Sequence, residues 1–180
     1  MNAILDESWL DRRYYGGDLP PEAERALHVA AASWHDPAAA EAALDEAAAL
    51  APGHRAVLLA RYKYHFYRCQ PAAAAPWALA CVRDAARALN LPPDWRAVRP
   101  GDARFDELEA EPRFFLFALK AYGYMLARAG DAAAGAEVLA QVVALDPADA
   151  TATRRLLALV QAGPSADDDD EGDEGDEGED

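Results

Sequence analysis

The residues best suited to covalent or metal chemistry are few and poorly placed. The serines are Ser8, Ser33 and Ser165; none sits in a Gly-x-Ser-x-Gly turn, and no glycine-rich phosphate loop ends in Lys-Ser or Lys-Thr. Cys69 has His65 one helical turn before it, the spacing of a thiolate–imidazole pair. A cysteine within an apolar helical stretch reads more simply as a small hydrophobe. His28 and His35, seven residues apart, can share a helix face, but no third ligand accompanies them. The run from Asp167 to Asp180 fails as a twelve-residue calcium loop, because a loop starting at Asp167 puts Gly178 where a bidentate glutamate is needed. The expectation is a protein that is not an enzyme, with no cofactor and no metal.

Recognition chemistry is better represented. Arg61-Tyr62-Lys63-Tyr64-His65-Phe66-Tyr67-Arg68 interleaves basic and aromatic side chains, and Lys120, Tyr124 and Arg128 follow at i, i+4 and i+8. Such stripes offer apolar area with a preference for acidic partners. The competing reading makes Tyr62, Phe66 and Tyr122 core residues, with the cations complementing helix ends.

These stripes require helices to carry them, and the composition supplies helix formers. Of 180 residues, 52% are hydrophobic and 45 are alanine, which loses no side-chain entropy on entering a helix. That length suits one domain. The net charge of −15 divides into −11 after residue 166 and −4 before it, so the body is only mildly acidic and nucleic-acid binding is disfavoured. The longest apolar stretch, Ala72 to Val82, is interrupted by Pro76 and falls short of the roughly 20 residues that span a bilayer, so no membrane partner is expected. An acidic amino terminus without a signal-peptide pattern, and only two cysteines, point to the cytoplasm.

Asp36-Pro37 and Gly130-Asp131 punctuate the chain as helix starts and stops, with Gly53 and Gly163 as further stops. Apolar residues at helical spacing predict helices over 21–34, 37–50, 55–69, 72–90, 112–129, 132–145 and 149–161. From Phe117 to Pro147, the residues Leu119, Tyr122, Gly123, Leu126, Gly130, Asp131, Gly135, Leu139, Val142 and Leu145 keep the spacing of a 34-residue unit starting at Leu116. This pattern resembles the tetratricopeptide repeat, although Gly135 stands where that family favours alanine. A looser copy spans 21–54, and Pro52, Pro92 and Pro147 mark the unit ends. The expected fold is all-α: a short tetratricopeptide-like solenoid of helical hairpins over 21–163, about three degenerate repeats and a capping helix. The resemblance implies a concave groove lined by the first helix of each pair, containing Lys63, Phe66, Tyr67, Lys120, Tyr124 and Arg128. The family's grip on a terminal carboxylate needs Lys with Asn, and Asn occurs only as Asn2 and Asn90.

Three segments fall outside the repeats. Residues 1–20, with Trp9, Leu10, Tyr14 and Tyr15, are expected to dock on the first helical pair. Residues 164–180 bury nothing and repel themselves, so they are expected to form a disordered acidic tail. The insertion at about 92–112 offers Trp95, Val98, Phe105 and Leu108 as anchors, leaving Arg96, Arg99 and Arg104 for contacts, as a lid or a binding element. Together with Leu10-Asp-Arg-Arg-Tyr-Tyr-Gly-Gly-Asp-Leu-Pro-Pro-Glu-Ala-Glu, the insertion resembles small tetratricopeptide-like proteins associated with bacterial nitrogen-fixation genes. The functional expectation is a non-catalytic adaptor holding a protein or peptide partner, with an acidic segment favoured. The alternative is a small-molecule binder or enzyme accessory using a pocket beneath the insertion.

Overall fold

The computed structural model describes residues 18–107 and 109–163. The expected amino-terminal docking of residues up to 17, the acidic tail and the anchor Leu108 lie outside the described residues. Those described form an all-helical chain: α1 (Pro21–Ala32), α2 (Pro37–Leu50), α3 (Arg55–Tyr67), α4 (Pro71–Ala88), α5 (Ala110–Arg128), α6 (Ala132–Leu145) and α7 (Thr153–Ala162). Connections of three or four residues within α1–α4 and between α5 and α6 let α1 pack on α2, α3 on α4 and α5 on α6. The order is compatible with a helical-repeat arrangement of three pairs and a closing helix.

Local chemistry explains the boundaries. Asp36 and Asp131 each accept an amide hydrogen bond from the third residue beyond, Ala39 at 3.1 Å and Ala134 at 3.0 Å. Proline opens α1, α2 and α4, where its missing N–H costs nothing. Helices α3, α4 and α5 are followed by a residue with positive φ, Cys69, Asn90 and Gly130 respectively. In each case the next amide reaches back to the last turn: Gln70 to His65, Leu91 to Ala86 and Asp131 to Leu126. Cys69 and Asn90 thus do the work expected of glycine. The last helix starts at Thr153 rather than 149, because Asp146 and Asp149 fold the preceding residues into a knot. The Asp146 carboxylate accepts from the Thr151 amide and hydroxyl at 2.8 and 2.7 Å, and Asp149 accepts from the Thr153 amide at 2.8 Å.

The main core lies between α3, α4, α5 and α6, where Phe114, Phe115, Leu119, Val138 and Val142 are fully buried. At its edge Arg55 bonds Asp84 at 2.6 Å and Glu111 at 2.7 and 2.8 Å, its guanidinium lying 4.5 Å from the Phe114 ring centroid. Burial pulls that guanidinium's pKa down, but its hydrogen bonds to Glu111 and Asp84 outweigh this and hold it above the ordinary value. Helices α5 and α6 meet at Gly123 and Gly135. A Cβ on Gly135 would stand 2.7 Å from the Gly123 carbonyl oxygen and 2.8 Å from Ala127 Cβ. Glycine therefore stands where the tetratricopeptide pattern favours alanine because the two backbones touch.

The insertion is a packed strap. Trp95, Val98 and Phe105 are buried, and Gln141 of α6 donates to the Val98 carbonyl at 2.7 Å. Its arginines are not left for a partner, which corrects the sequence expectation. Arg96 grips Glu137 of α6 at 2.7 and 3.1 Å, Arg99 donates to the Arg96 carbonyl at 2.8 Å, and Arg104 pairs with Glu107 and with Glu109 at 3.6 Å. With each cation answered locally, the strap works as a clasp across α6.

Candidate functional site

Helices α1 and α3 diverge on the face away from the main core, and a cleft of about 660 Å³ opens between them. Helical periodicity builds each wall. Along α1 and its end, Glu24, Leu27, His28, Ala31 and Trp34 share one stripe, and along α3, Ala56, Ala60, Lys63, Tyr64 and Tyr67 share another. Leu44 of α2 contributes from below, and Leu19 closes the end where the described chain begins.

Aromatic groups shape the far rim. Trp34 meets Tyr64 edge-on with centroids 6.1 Å apart, and the Arg68 guanidinium lies 5.6 Å from the Trp34 ring and 5.4 Å from the Tyr64 ring. Arg68 also donates to the Trp34 carbonyl at 3.3 Å, tying α3 to the end of α1. Burial raises the Tyr64 pKa, with Arg68 opposing and Glu41 adding to it, so the phenol stays a neutral donor toward Glu41 at 3.4 Å. Trp34 and Tyr67 remain 37% and 57% exposed, leaving apolar area in contact with water. At the near rim, His54 receives the Ala56 amide on Nδ1 and pairs through Nε2 with Asp18 at 3.1 Å. That hydrogen bond holds the Asp18 carboxyl below the usual carboxylate range.

The six residues expected to share one groove are divided among different environments. Lys63 and Tyr67 line the cleft. Phe66 and Tyr124 are half-buried against the main core, with Phe66 packed on Tyr62 at 5.6 Å. Arg128 is exposed and donates to the Tyr124 hydroxyl at 2.9 Å. Lys120 is 1% exposed, and its Nζ donates to the Thr151 carbonyl at 2.6 Å. This corrects its assignment as a groove cation: the knot before α7 covers that face of α5. Burial lowers the Lys120 pKa, with Asp149 and Asp146 partly offsetting the effect.

The residues missed were Leu27, Ala30, Ala31 and Trp34, whose helical spacing was legible as a core stripe. Periodicity identifies an apolar face but does not reveal whether another helix covers it. Histidine and cysteine form no catalytic pair here, since the His65 ring is hydrogen-bonded to Gln70 at 2.9 Å while Cys69 caps α3. Among the described residues, no group of three or more His, Cys, Asp or Glu is arranged to hold a metal ion. No helix among them is long and apolar enough to cross a membrane.

No protein-family model matches the chain, and no solved structure matches it. A curated bacterial protein does. The "Uncharacterized 19.8 kDa protein in nifW 5'region" of Azotobacter chroococcum mcd 1 is 34% identical over 149 residues, which cover 80% of this chain and 81% of the relative. This agrees with the nitrogen-fixation association legible in the sequence, and leaves the tetratricopeptide resemblance without a matching family model. Identity at that level along most of both chains makes this protein a member of the family of that nifW 5'-region protein.

Proposed function

We propose that the protein is a non-catalytic, tetratricopeptide-like adaptor whose α1/α3 cleft holds a short segment of another protein. The observation that carries this reading is the cleft itself, apolar along both walls, edged by the exposed rings of Trp34 and Tyr67, and carrying the cations Lys63 and Arg68 at its aromatic end. Apolar side chains of the segment supply most of the affinity, and an acidic residue beside them meets Lys63 or Arg68. Free thiols at both Cys69 and Cys81 support a cytoplasmic setting. The relative's nifW 5'-region name makes bacterial nitrogen fixation the context in which to seek the partner.

The cleft volume also lies in the range of small-molecule pockets, so a compact apolar ligand is the second reading. The site in this second reading is the cleft, while the anchors Trp95, Val98 and Phe105 of the insertion are themselves buried. Selection of displayed peptides on the full-length chain tests both readings. The expected result is enrichment of peptides with two or three apolar anchors and an acidic residue, weakened about tenfold by Trp34→Ala and about threefold or more by Lys63→Glu. No enrichment, or enrichment indifferent to both substitutions, refutes the adaptor reading.

A further inference from the structure

The cleft lies beside the start of the described chain, and the sequence before that point is rich in aromatic residues. Leu19 already forms part of its lining and packs beside Ala23, Ala26, Ala47, Ala51 and Val57. Asp18, the first described residue, is held at the start of α3 by His54. From Ala56 to Tyr67 the α3 wall is about 17 Å long at the helical rise of 1.5 Å per residue. An extended chain covers that in about five residues, and the ten from Leu19 back to Trp9 reach about 33 Å. Tyr14 and Tyr15 are therefore within range of the middle of the cleft, and Trp9 and Leu10 within range of Trp34 and Tyr67.

Chemistry selects the same segment. Trp9-Leu10-Asp11-Arg12-Arg13-Tyr14-Tyr15 carries four large apolar or aromatic side chains in seven positions, with two arginines between them. Glu24 within the cleft and Glu41 beside Tyr64 offer carboxylates to those arginines. The carboxy-terminal residues 164–180 are the other stretch outside the structure. They start beyond α7, at the opposite end of the helix order, and hold no apolar residue larger than proline.

We infer that residues 9–15 are the resident occupant of the α1/α3 cleft, an internal ligand that any partner segment must displace. Displacement rests on the adaptor reading, whereas occupancy does not. A tether this short gives an effective concentration in the millimolar range, so an external peptide meets a competitor that dilution does not remove. A partner segment is then held only when it outbinds residues 9–15.

The test uses the full-length chain carrying Cys69→Ser, so that Cys81, which is buried, is the remaining native thiol. Trp9→Cys is combined with Tyr67→Cys in one protein and with Arg155→Cys, on α7, in another, and intramolecular disulfide formation under diamide is followed by mass spectrometry. Cross-linking at least tenfold faster for the cleft pair is expected; equal rates overturn the inference. In a second arm, Trp9, Leu10, Tyr14 and Tyr15 are all changed to alanine, and binding of the dye 1-anilinonaphthalene-8-sulfonate is measured. Several-fold more binding, abolished by adding Trp34→Ala, is expected, and unchanged binding counts against occupancy. The cross-linking result holds whether or not the fourfold variant keeps its fold. Peptides that bind the fourfold variant no better than the native chain would sink the internal ligand and leave the adaptor standing. A fast cleft cross-link with no peptide selected would do the reverse.

Discussion

Replacing Gly135 by alanine tests the close approach of α5 and α6, because local and tertiary effects then have opposite signs. Gly135 lies inside α6, where alanine is favoured over glycine by about 1 kcal/mol. On propensity alone the substitution stabilises. The new Cβ, however, would meet the Gly123 carbonyl oxygen at 2.7 Å, Ala127 Cβ at 2.8 Å and the Ala127 nitrogen at 2.9 Å. Ordinary contact begins at 3.4 Å, and two of these three atoms are backbone, so no rotamer change relieves the overlap. The helices must separate by several tenths of an ångström, loosening the packing of Val138, Leu139 and Val142. Overpacking costs about 1–3 kcal/mol, and with all three contacts under 3.0 Å the cost falls in the upper part of that range, about 2–3 kcal/mol, so a net loss of about 1–2 kcal/mol remains after the helix-propensity gain. Urea unfolding followed by circular dichroism should show a lower midpoint at unchanged slope, and the melting temperature should fall by about 2–8 °C. Gly123→Ala should cost less, because its contacts begin at 3.0 Å and two of the three are side-chain atoms. Gly101→Ala, with nothing within 4 Å, serves as the control and should be near neutral. A Gly135→Ala protein as stable as the wild type would refute the reasoning.

Arg55→Met should destabilise by about 2 kcal/mol in the same unfolding assay, since Asp84 and Glu111 lose their shared partner. The loss stays below that of a fully buried pair because Glu111 is 40% exposed, and a silent substitution would remove the triad from the account of the core. Lys120 should leave a signature in pH: burial holds its folded pKa below the unfolded 10.5, so just under pH 10.5 the unfolded chain binds more protons and stability rises with pH. Lys120→Met should lack that rise, and parallel stability curves for the two proteins would disprove it. Truncation after Gly163 should leave the helical spectrum and unfolding midpoint unchanged while raising affinity for an acidic peptide several-fold at low ionic strength; equal affinities would make the eleven tail carboxylates a solubility device.

Helix starts were the most legible part of the fold. Asp36-Pro37 and Asp131 announce α2 and α6 at Pro37 and Ala132, because a capping carboxylate acts on amides only three residues away. Stops were legible where glycine marks them, as at Gly130, and blurred at Cys69 and Asn90, whose left-handed backbone is not implied by their residue type. The start of α7 was misplaced by four residues because Asp146 and Asp149 use their carboxylates to build a turn rather than to cap at once. The site was harder to read, for a related reason. Lys120 and Arg128 occupy the same helical stripe, yet one is buried under the residues before α7 and the other is exposed. That difference depends on a chain segment some 30 residues away, which spacing along α5 does not encode.

Alanine explains why a cleft is left open at α1. The buried residues of α1 are Ala23, Ala26 and Ala30, and those of α2 are Ala40, Ala43, Leu44 and Ala47. Methyl groups let these two helices lie close together but project little area toward a neighbour, and apolar stabilisation scales with the area removed from water. Val57, Tyr64 and the partly buried Ala60 join α3 to the two small clusters there, whereas α4, α5 and the strap share a core filled with phenylalanine, leucine and tryptophan. Trp34, just beyond α1, lines the gap with its ring partly exposed, and Leu27 of α1 lines it while also packing on both small clusters. The first pair is therefore a junction with apolar surface still to bury. A segment carrying aromatic side chains adds what the alanines do not supply, so binding in the cleft also strengthens the hold of α1 and α2 on the rest of the protein.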